Sequence, residues 1–356
     1  MTTQRHICES ACAALLVAGI AVAASHQVEA QSVGEFYKGR QINVIASTGV
    51  GGDYDLAART IARHMGKYIP GNPTFIVQNM PGAGHVLATN FLYNQAAKDG
   101  SAFGTVGNSI VLHQVLDGKG VRYDASKFNW IGTTGISNLM TAVWHTAGVK
   151  NVEDLRNKQV ISGGTGAGSG SVLYTTVANN LLGLKFKNVV GYERARDIDI
   201  AMERGEVQAR SGFSYGSLAG EHPDWIKEGK VVFVFQVGAK RAPELPNVPL
   251  MTELARNDDE RQVLRMISSP VGLGRPYLTP PDVPADRVAA LRQAFDATVK
   301  DEGFLADVKK QDFDLYPDTG ANVAAIVAET VGASPAIIEK AKAAMQPKEP
   351  MAEAKK

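Results

Sequence analysis

Short apolar runs of strand length alternate with apolar stripes of helical spacing along most of the chain, the pattern a parallel α/β sheet requires. Gln41 to Ser47 reads as a strand. Leu56, Ala57, Ile61, Ala62 and Met65 then fall on one face of a helix that stops near Tyr68, before Pro70-Gly71-Asn72-Pro73. Thr74 to Asn79 is the next strand, Leu87, Ala88, Phe91 and Leu92 mark a helix, and a further strand ends at Val106. The alternation restarts near residue 152. Val152 to Arg156 reads as a short helix, Val160 to Gly163 as a strand, Ser171 to Leu182 as a helix, Asn188 to Gly191 as a strand and Asp197 to Arg204 as a helix. Strands at Val207 to Ser211 and Val231 to Val237 follow. Beyond the Pro-rich passage Ala242 to Leu250, the pattern predicts helices over Asp258 to Met266, Ala285 to Lys300, Glu302 to Gln311 and Ala321 to Ala344. A strand at Val271 to Gly274 would return the chain to the first half.

Two runs of alternation imply two α/β lobes that form a bilobal clamp, with a ligand between them at the C-terminal ends of the strands. The expected division is a signal peptide over 1–30, a first lobe of 31–138 plus 269–345, a second lobe of 139–268, and a charged, disordered tail over 346–356. Arg5 and His6, the apolar stretch Ala11 to Ala24 and the small-residue site Val28-Glu29-Ala30 make an export signal cleaved near Ala30. About fourteen apolar residues are too few for the ~20 that span a bilayer, so the mature chain is expected to be periplasmic without a membrane span.

Both cysteines, Cys8 and Cys12, lie in that leader, which excludes disulfides and thiolate metal sites from the mature chain. Loss of Arg5, Glu9 and Glu29 with the leader leaves 36 basic and 34 acidic residues, a balance that predicts no nucleic acid partner. No cofactor or metal site is expected, because His64, His85, His113, His145 and His222 are scattered without ligand spacing.

The candidate chemistry lies in two glycine-rich strand-to-helix turns. Gly49-Val50-Gly51-Gly52-Asp53-Tyr54-Asp55 follows the first strand, and Gly163 to Ser171 follows Val160-Ile161. A helix start presents unbonded N–H groups and about half a positive charge, so each turn is a cradle for an anion. The first lobe then offers Thr48, Gly49, Gly51, Gly52 and Asp53, with Asn108 and Ser109 after the third strand. The second offers Gly168, Ser169, Gly170, Ser171 and Tyr192.

The series Gly51 to Arg59, Gln78-Asn79-Met80-Pro81-Gly82-Ala83-Gly84, Lys98-Asp99-Gly100, Gly166 to Ser171, Gly191-Tyr192, Gly205-Glu206-Val207 and Leu245-Pro246-Asn247-Val248-Pro249 resembles the Bug-type extracytoplasmic solute receptors of tripartite tricarboxylate transporters. It does so in order over nearly the whole mature chain. The resemblance implies the bilobal periplasmic-binding-protein (Venus flytrap) architecture, two α/β lobes around a ligand cleft, and a monomeric receptor that holds a small organic acid or related carboxylate mainly by backbone amides and delivers it to membrane permease subunits. A periplasmic sensor feeding a signalling partner would use the same clamp. The chain departs from the usual Pro-Pro-Gly-Gly-Gly-Thr-Asp loop, with Val50 for a proline, Asp53 for a glycine and Tyr54 for a threonine. Asp53 sets negative charge beside the carboxylate seat, which favours an ammonium-bearing or protonated ligand unless the side chain turns away.

Other readings stand beside these. A glycine at such a junction also serves simply to allow a tight turn, and Asp55 suits a cap or first-turn partner better than a ligand contact. Tyr192, Phe213 and Tyr215 fit lobe packing as well as ligand stacking, and Arg194, Arg196 and Arg210 fit solvated surface better than a carboxylate clamp. Gly212-Phe213-Ser214-Tyr215-Gly216 matches the nucleophile elbow of a hydrolase with Ser214 as nucleophile. Against it, Pro223 comes too soon for the helix an elbow requires, and Glu221 and His222 are the only acid–histidine pair downstream. The chain is therefore expected not to be an enzyme.

Overall fold

The computed structural model of the chain describes residues 31–166, 169–311 and 314–354; the proposed leader, Gly168 and the last two residues fall outside that range. Among the described residues the strands are β1 (Gln41–Ala46), β2 (Thr74–Asn79), β3 (Ala102–Thr105), β4 (Asn129–Thr133), β5 (Leu139–Trp144), β6 (Val160–Gly164), β7 (Phe186–Val190), β8 (Ala209–Ser214), β9 (Val231–Val237), β10 (Pro276–Thr279), β11 (Asp318–Thr319) and β12 (Ala352–Glu353). They form two mixed sheets, ordered β11-β4-β10-β3-β1-β2 and β12-β7-β6-β8-β5-β9. Each has its own core. Ile42, Val44 and Ala46 of β1 meet Ala58, Ile61 and Met65 of the helix Asp53–Met65 and Phe103, Tyr277 and Phe295. In the second sheet Val160, Phe186, Ala209 and Phe235 pack on Val177, Ala178 and Leu182 of the helix Gly170–Leu182.

Strand direction fixes how the sheets face each other. In the first sheet β1, β2 and β3 are parallel, and antiparallel β10 starts beside the end of β3, with Tyr277 opposite Thr105. Because β4 is antiparallel to β10, it finishes at the same edge, Thr133 opposite Pro276. In the second sheet β6, β7 and β8 are parallel, and antiparallel β5 starts opposite the end of β8, Leu139 against Ser214. Residues 134–138 thus tie the C-terminal edge of one sheet to the C-terminal edge of the other. Strand-end loops from both sheets flank this short link, which is where a bilobal α/β protein holds its ligand.

The sequence pattern and the structure part company at a few elements. β4, β5 and the helix Ile110–Leu116 had no counterpart in the sequence reading. The helix Asp258–Leu273 runs seven residues past its expected end with Pro270 inside it, so Val271 to Gly274 is not a strand and the return is made by β10. The single late helix is two, Gly320–Val331 and Pro335–Met345, bent by 91°. Ser334 caps the second by accepting the Ile337 N–H, and Pro335 occupies its first turn. Ile337, Ala341 and Ala344 of that second helix join the core around Val177 rather than the first lobe. The tail expected to be disordered instead lays β12 parallel to the edge strand β7, pairing Ala352 with Val189 and Glu353 with Val190. An edge strand has unpaired N–H and C=O groups, which β12 satisfies.

Candidate ligand cleft

The first cradle is built around buried Asp55. One carboxylate oxygen accepts the Gly51 N–H at 2.8 Å; the other accepts the Asn79 amide at 2.8 Å and Arg59 Nε at 2.9 Å. Asn79 also donates to the Thr48 carbonyl, and Thr48 Oγ1 accepts the Asp55 N–H. Burial opposes the charge on Asp55, but Arg59, the Gly51 N–H and Asn79 outweigh it and hold the carboxyl below its ordinary range. Asp55 is therefore the brace of the loop, a first-turn partner rather than the cap, which is Gly52. This network spends donors that the glycine pattern offered to a ligand: the Gly51 N–H goes to Asp55, and the Gly52 N–H to the Gly49 carbonyl at 3.0 Å. The N–H groups of Asp53 and Tyr54, in the first helical turn, have no acceptor among the described residues, so they are the donors this turn leaves open.

Tyr54 is buried beside the first cradle. Its hydroxyl accepts the Asn108 N–H at 2.9 Å and makes a long 3.5 Å contact to the Gly274 carbonyl, and burial pushes its pKa up to about 12, keeping it neutral. Asn108 is thereby tied to the first cradle through its amide, while Ser109 lies exposed next to it. Beside Tyr54, His85 packs its ring at 5.2 Å and places Nδ1 3.0 Å from Ser47 Oγ. Burial lowers the His85 pKa, so the unfolded chain binds the extra proton more readily. Its contribution is whole above the unfolded value of 6.5 and is lost as pH falls from there through the lower folded value. Urea midpoints measured from pH 7.5 to 5 are expected to fall on acidification, and to fall less in His85→Gln.

Arg275 was absent from the sequence reading. Its buried guanidinium donates to Asp53 Oδ2 and to the Gly135 carbonyl, each at 2.7 Å, and to the Asp314 carbonyl at 3.1 Å. One side chain thus gathers the link 134–138, the segment entering β10 and the segment before β11 onto the first turn of the cradle helix. Asp53 is ion-paired with Arg275, and its side chain remains 54% exposed.

In the second cradle Ser171 Oγ accepts the Thr165 N–H at 3.2 Å and lies 2.7 Å from Ser169 Oγ, which donates to the Gly166 carbonyl. Gly170 heads the helix, and Gly212 makes a close approach to it: a Cβ on Gly212 would lie 2.6 Å from the Gly170 carbonyl carbon, at a φ of 76°. Gly212 is thus a packing glycine of the second cradle. Tyr192 stands at the end of this sheet, near Gly163, half-buried. The structure therefore groups Thr48, Gly49, Gly51, Gly52, Asp53 and Asn108 on one side and Ser169, Gly170 and Ser171 on the other, and no hydrogen bond or ion pair joins the two groups among the described residues.

The remaining candidates sort differently. A helix, Tyr215–Glu221, does follow Ser214, contrary to the expectation from Pro223, yet Ser214 Oγ is its cap and accepts the Ser217 N–H. Arg210 is not solvated: it is buried, donates to both oxygens of fully buried Asp199 at 2.5 and 2.6 Å, and lies over Phe213. Arg194 is exposed and pairs with Asp197. The fold also brings Asp199, Glu221 and His222 within 4.8 Å of one another, a grouping that sequence spacing did not show. Asp199 is already engaged there by the Arg210 guanidinium.

The family model for the tripartite tricarboxylate transporter family receptor, TctC, matches residues 57–343. The chain belongs to this receptor family. A relative from Cupriavidus necator, described as the UPF0065 protein in the gbd 5′ region, is 26% identical over 348 residues, covering 95% of this chain and 97% of the relative. Among solved structures, a TctC solute-binding protein from Polaromonas without ligand superposes with a TM-score of 0.67 at 18% identity, covering 85% of this receptor and 99% of that chain. The periplasmic binding protein BugD gives 0.50 at 20% identity, covering 86% and 98%. These likenesses show the two-lobed binding-protein fold. Among the described residues of the receptor no single helix is long and apolar enough to cross a membrane.

Proposed function

We propose that this receptor is exported to the periplasm, loses its leader near Ala30, and as a monomer captures a small carboxylate-bearing solute by closing its lobes about the crossing segments. It then presents the closed face to permease subunits of a tripartite tricarboxylate transporter, without catalysing a reaction. The observation that supports this reading is the 134–138 link, which joins the C-terminal edges of both sheets, the edges from which both glycine-rich helix starts leave. Each helix start contributes typically about 0.3–1 kcal/mol to a bound anion, up to ~2 when partly buried. Hydroxyls of Ser169 and Ser171 add donors on the far side, and micromolar binding needs about 8.2 kcal/mol in all.

A thermal-shift screen of the mature protein against mono-, di- and tricarboxylates and matched amines tests it. A bound acid at about 100 times its dissociation constant is expected to stabilise the protein by ~2.7 kcal/mol. Failure of every acid to raise Tm, or consumption of the stabilising acid during the assay, would overturn the reading.

A further inference from the structure

Asp53 stands where a glycine is usual in the resembling loops, and its surroundings give that exchange a chemical meaning. It is the first residue of the helix Asp53–Met65, whose Asp53 and Tyr54 N–H groups have no acceptor among the described residues. Oδ2 is held by Arg275 at 2.7 Å, whereas Oδ1 takes no hydrogen bond among the described residues. Arg275 is anchored by the Gly135 and Asp314 carbonyls, so the ion pair holds the carboxylate at the helix start. The Asp314 side chain, its Oδ2 2.5 Å from the Ser137 hydroxyl, adds a second negative charge close by, since its carbonyl accepts from the same Arg275. Among the described residues the charged groups here are two carboxylates and one guanidinium. A solute carboxylate seated on the Asp53 and Tyr54 amides would raise the excess of negative charge next to the unengaged Asp53 oxygen. An ammonium on the neighbouring carbon of the solute removes that excess and supplies Oδ1 with a donor in a charge-assisted hydrogen bond.

We propose that Asp53, positioned by Arg275, is a specificity residue that selects carboxylates carrying an ammonium group next to the carboxylate, that is, amino acids rather than unsubstituted acids. This rests on the carboxylate-receptor reading above.

Isothermal titration of the mature protein with propanoate, succinate and glutarate, each against its 2-amino and 2-hydroxy counterpart, tests it. The tightest 2-amino acid is expected to bind at least tenfold better than its unsubstituted partner. Asp53→Asn, which can still hydrogen-bond Arg275, should weaken the amino acid about tenfold and strengthen the unsubstituted acid. These opposite shifts cannot come from loss of folding, and Asp53→Gly, the residue usual in the resembling loops, should show the same pair. Equal or tighter binding of the unsubstituted or hydroxy acid by the wild type overturns the ammonium assignment while leaving the carboxylate receptor standing. So does a parallel loss for both acids in the two variants. Binding of none of the acids removes both readings.

Discussion

Asp199→Ala is expected to lower the free energy of unfolding of the second lobe by about 3–5 kcal/mol, the range for removing one partner of a buried ion pair. The side chains of Asp199 and Arg210 are 0% and 7% exposed, and both carboxylate oxygens lie within hydrogen-bond distance of Arg210 Nη1. Truncating the acid strands a buried guanidinium over the Phe213 ring, where water cannot reach it freely. His222 stacks on Trp225 at 4.1 Å with a 19° tilt and has Nε2 3.4 Å from Asp199 Oδ2, so its orientation should loosen as well. Urea unfolding followed by tryptophan fluorescence reads the loss, since Trp144 and Trp225 both lie in this region. The pair Asp199→Leu with Arg210→Met should recover most of the stability, because the large penalty belongs to the stranded charge rather than to loss of the bridge. A single-variant loss under about 1 kcal/mol would mean that the site is hydrated.

Gly135→Ala should be nearly as damaging, and it should also weaken ligand binding. A methyl group there would lie 1.9 Å from the Tyr316 carbonyl oxygen, a backbone atom that cannot rotate away, and φ is 68°. Overpacking costs about 1–3 kcal/mol, and the left-handed conformation adds about 1–2 kcal/mol for a residue with a Cβ. Gly274 meets Gly135 from the other side, its own Cβ position being 2.6 Å from the Gly135 Cα. The crossing segments thus touch backbone to backbone, and a methyl group between them must wedge them apart and change the angle at which the lobes meet. A melt together with a solute titration checks this. Gly220→Ala, with no atom within 4 Å of the new methyl, is the control and should leave both unchanged or melt slightly higher.

Much of the first sheet was legible because β1 and β2 are bounded by strong turn residues and followed by helices with one clear apolar face. β4 escaped because Trp130, Ile131, Gly132 and Thr133 are buried on both faces, which removes the alternation that marks a strand. The expected helix stopped at Met266, yet Pro270 sits one turn before the helix terminus at Leu273: its own carbonyl accepts the Gly274 N–H, and the Met266 carbonyl, which Pro270 cannot bond, accepts the Ser269 hydroxyl. The two glycine turns were visible as cradles, but which of their N–H groups are already occupied depends on Asp55 and Asn79 meeting in space. The Asp53–Arg275 pair was beyond reach for a simpler reason: its members are 222 positions apart and Arg275 belongs to none of the motifs.

The insertion of β10 between β3 and β4 has a consequence for how the chain is made. While the polypeptide emerges from the synthetic machinery, β1, β2 and β3 can pair early, but β4 has no neighbour to join them until residue 279 has appeared. By then all of β5 to β9 has been produced, so the second sheet's main strands are free to assemble while the first still has a gap. Assembly in that order ends with a long-range closure, and long-range pairings form slowly. A late, rate-limiting phase reported by Trp130 is the expected kinetic signature.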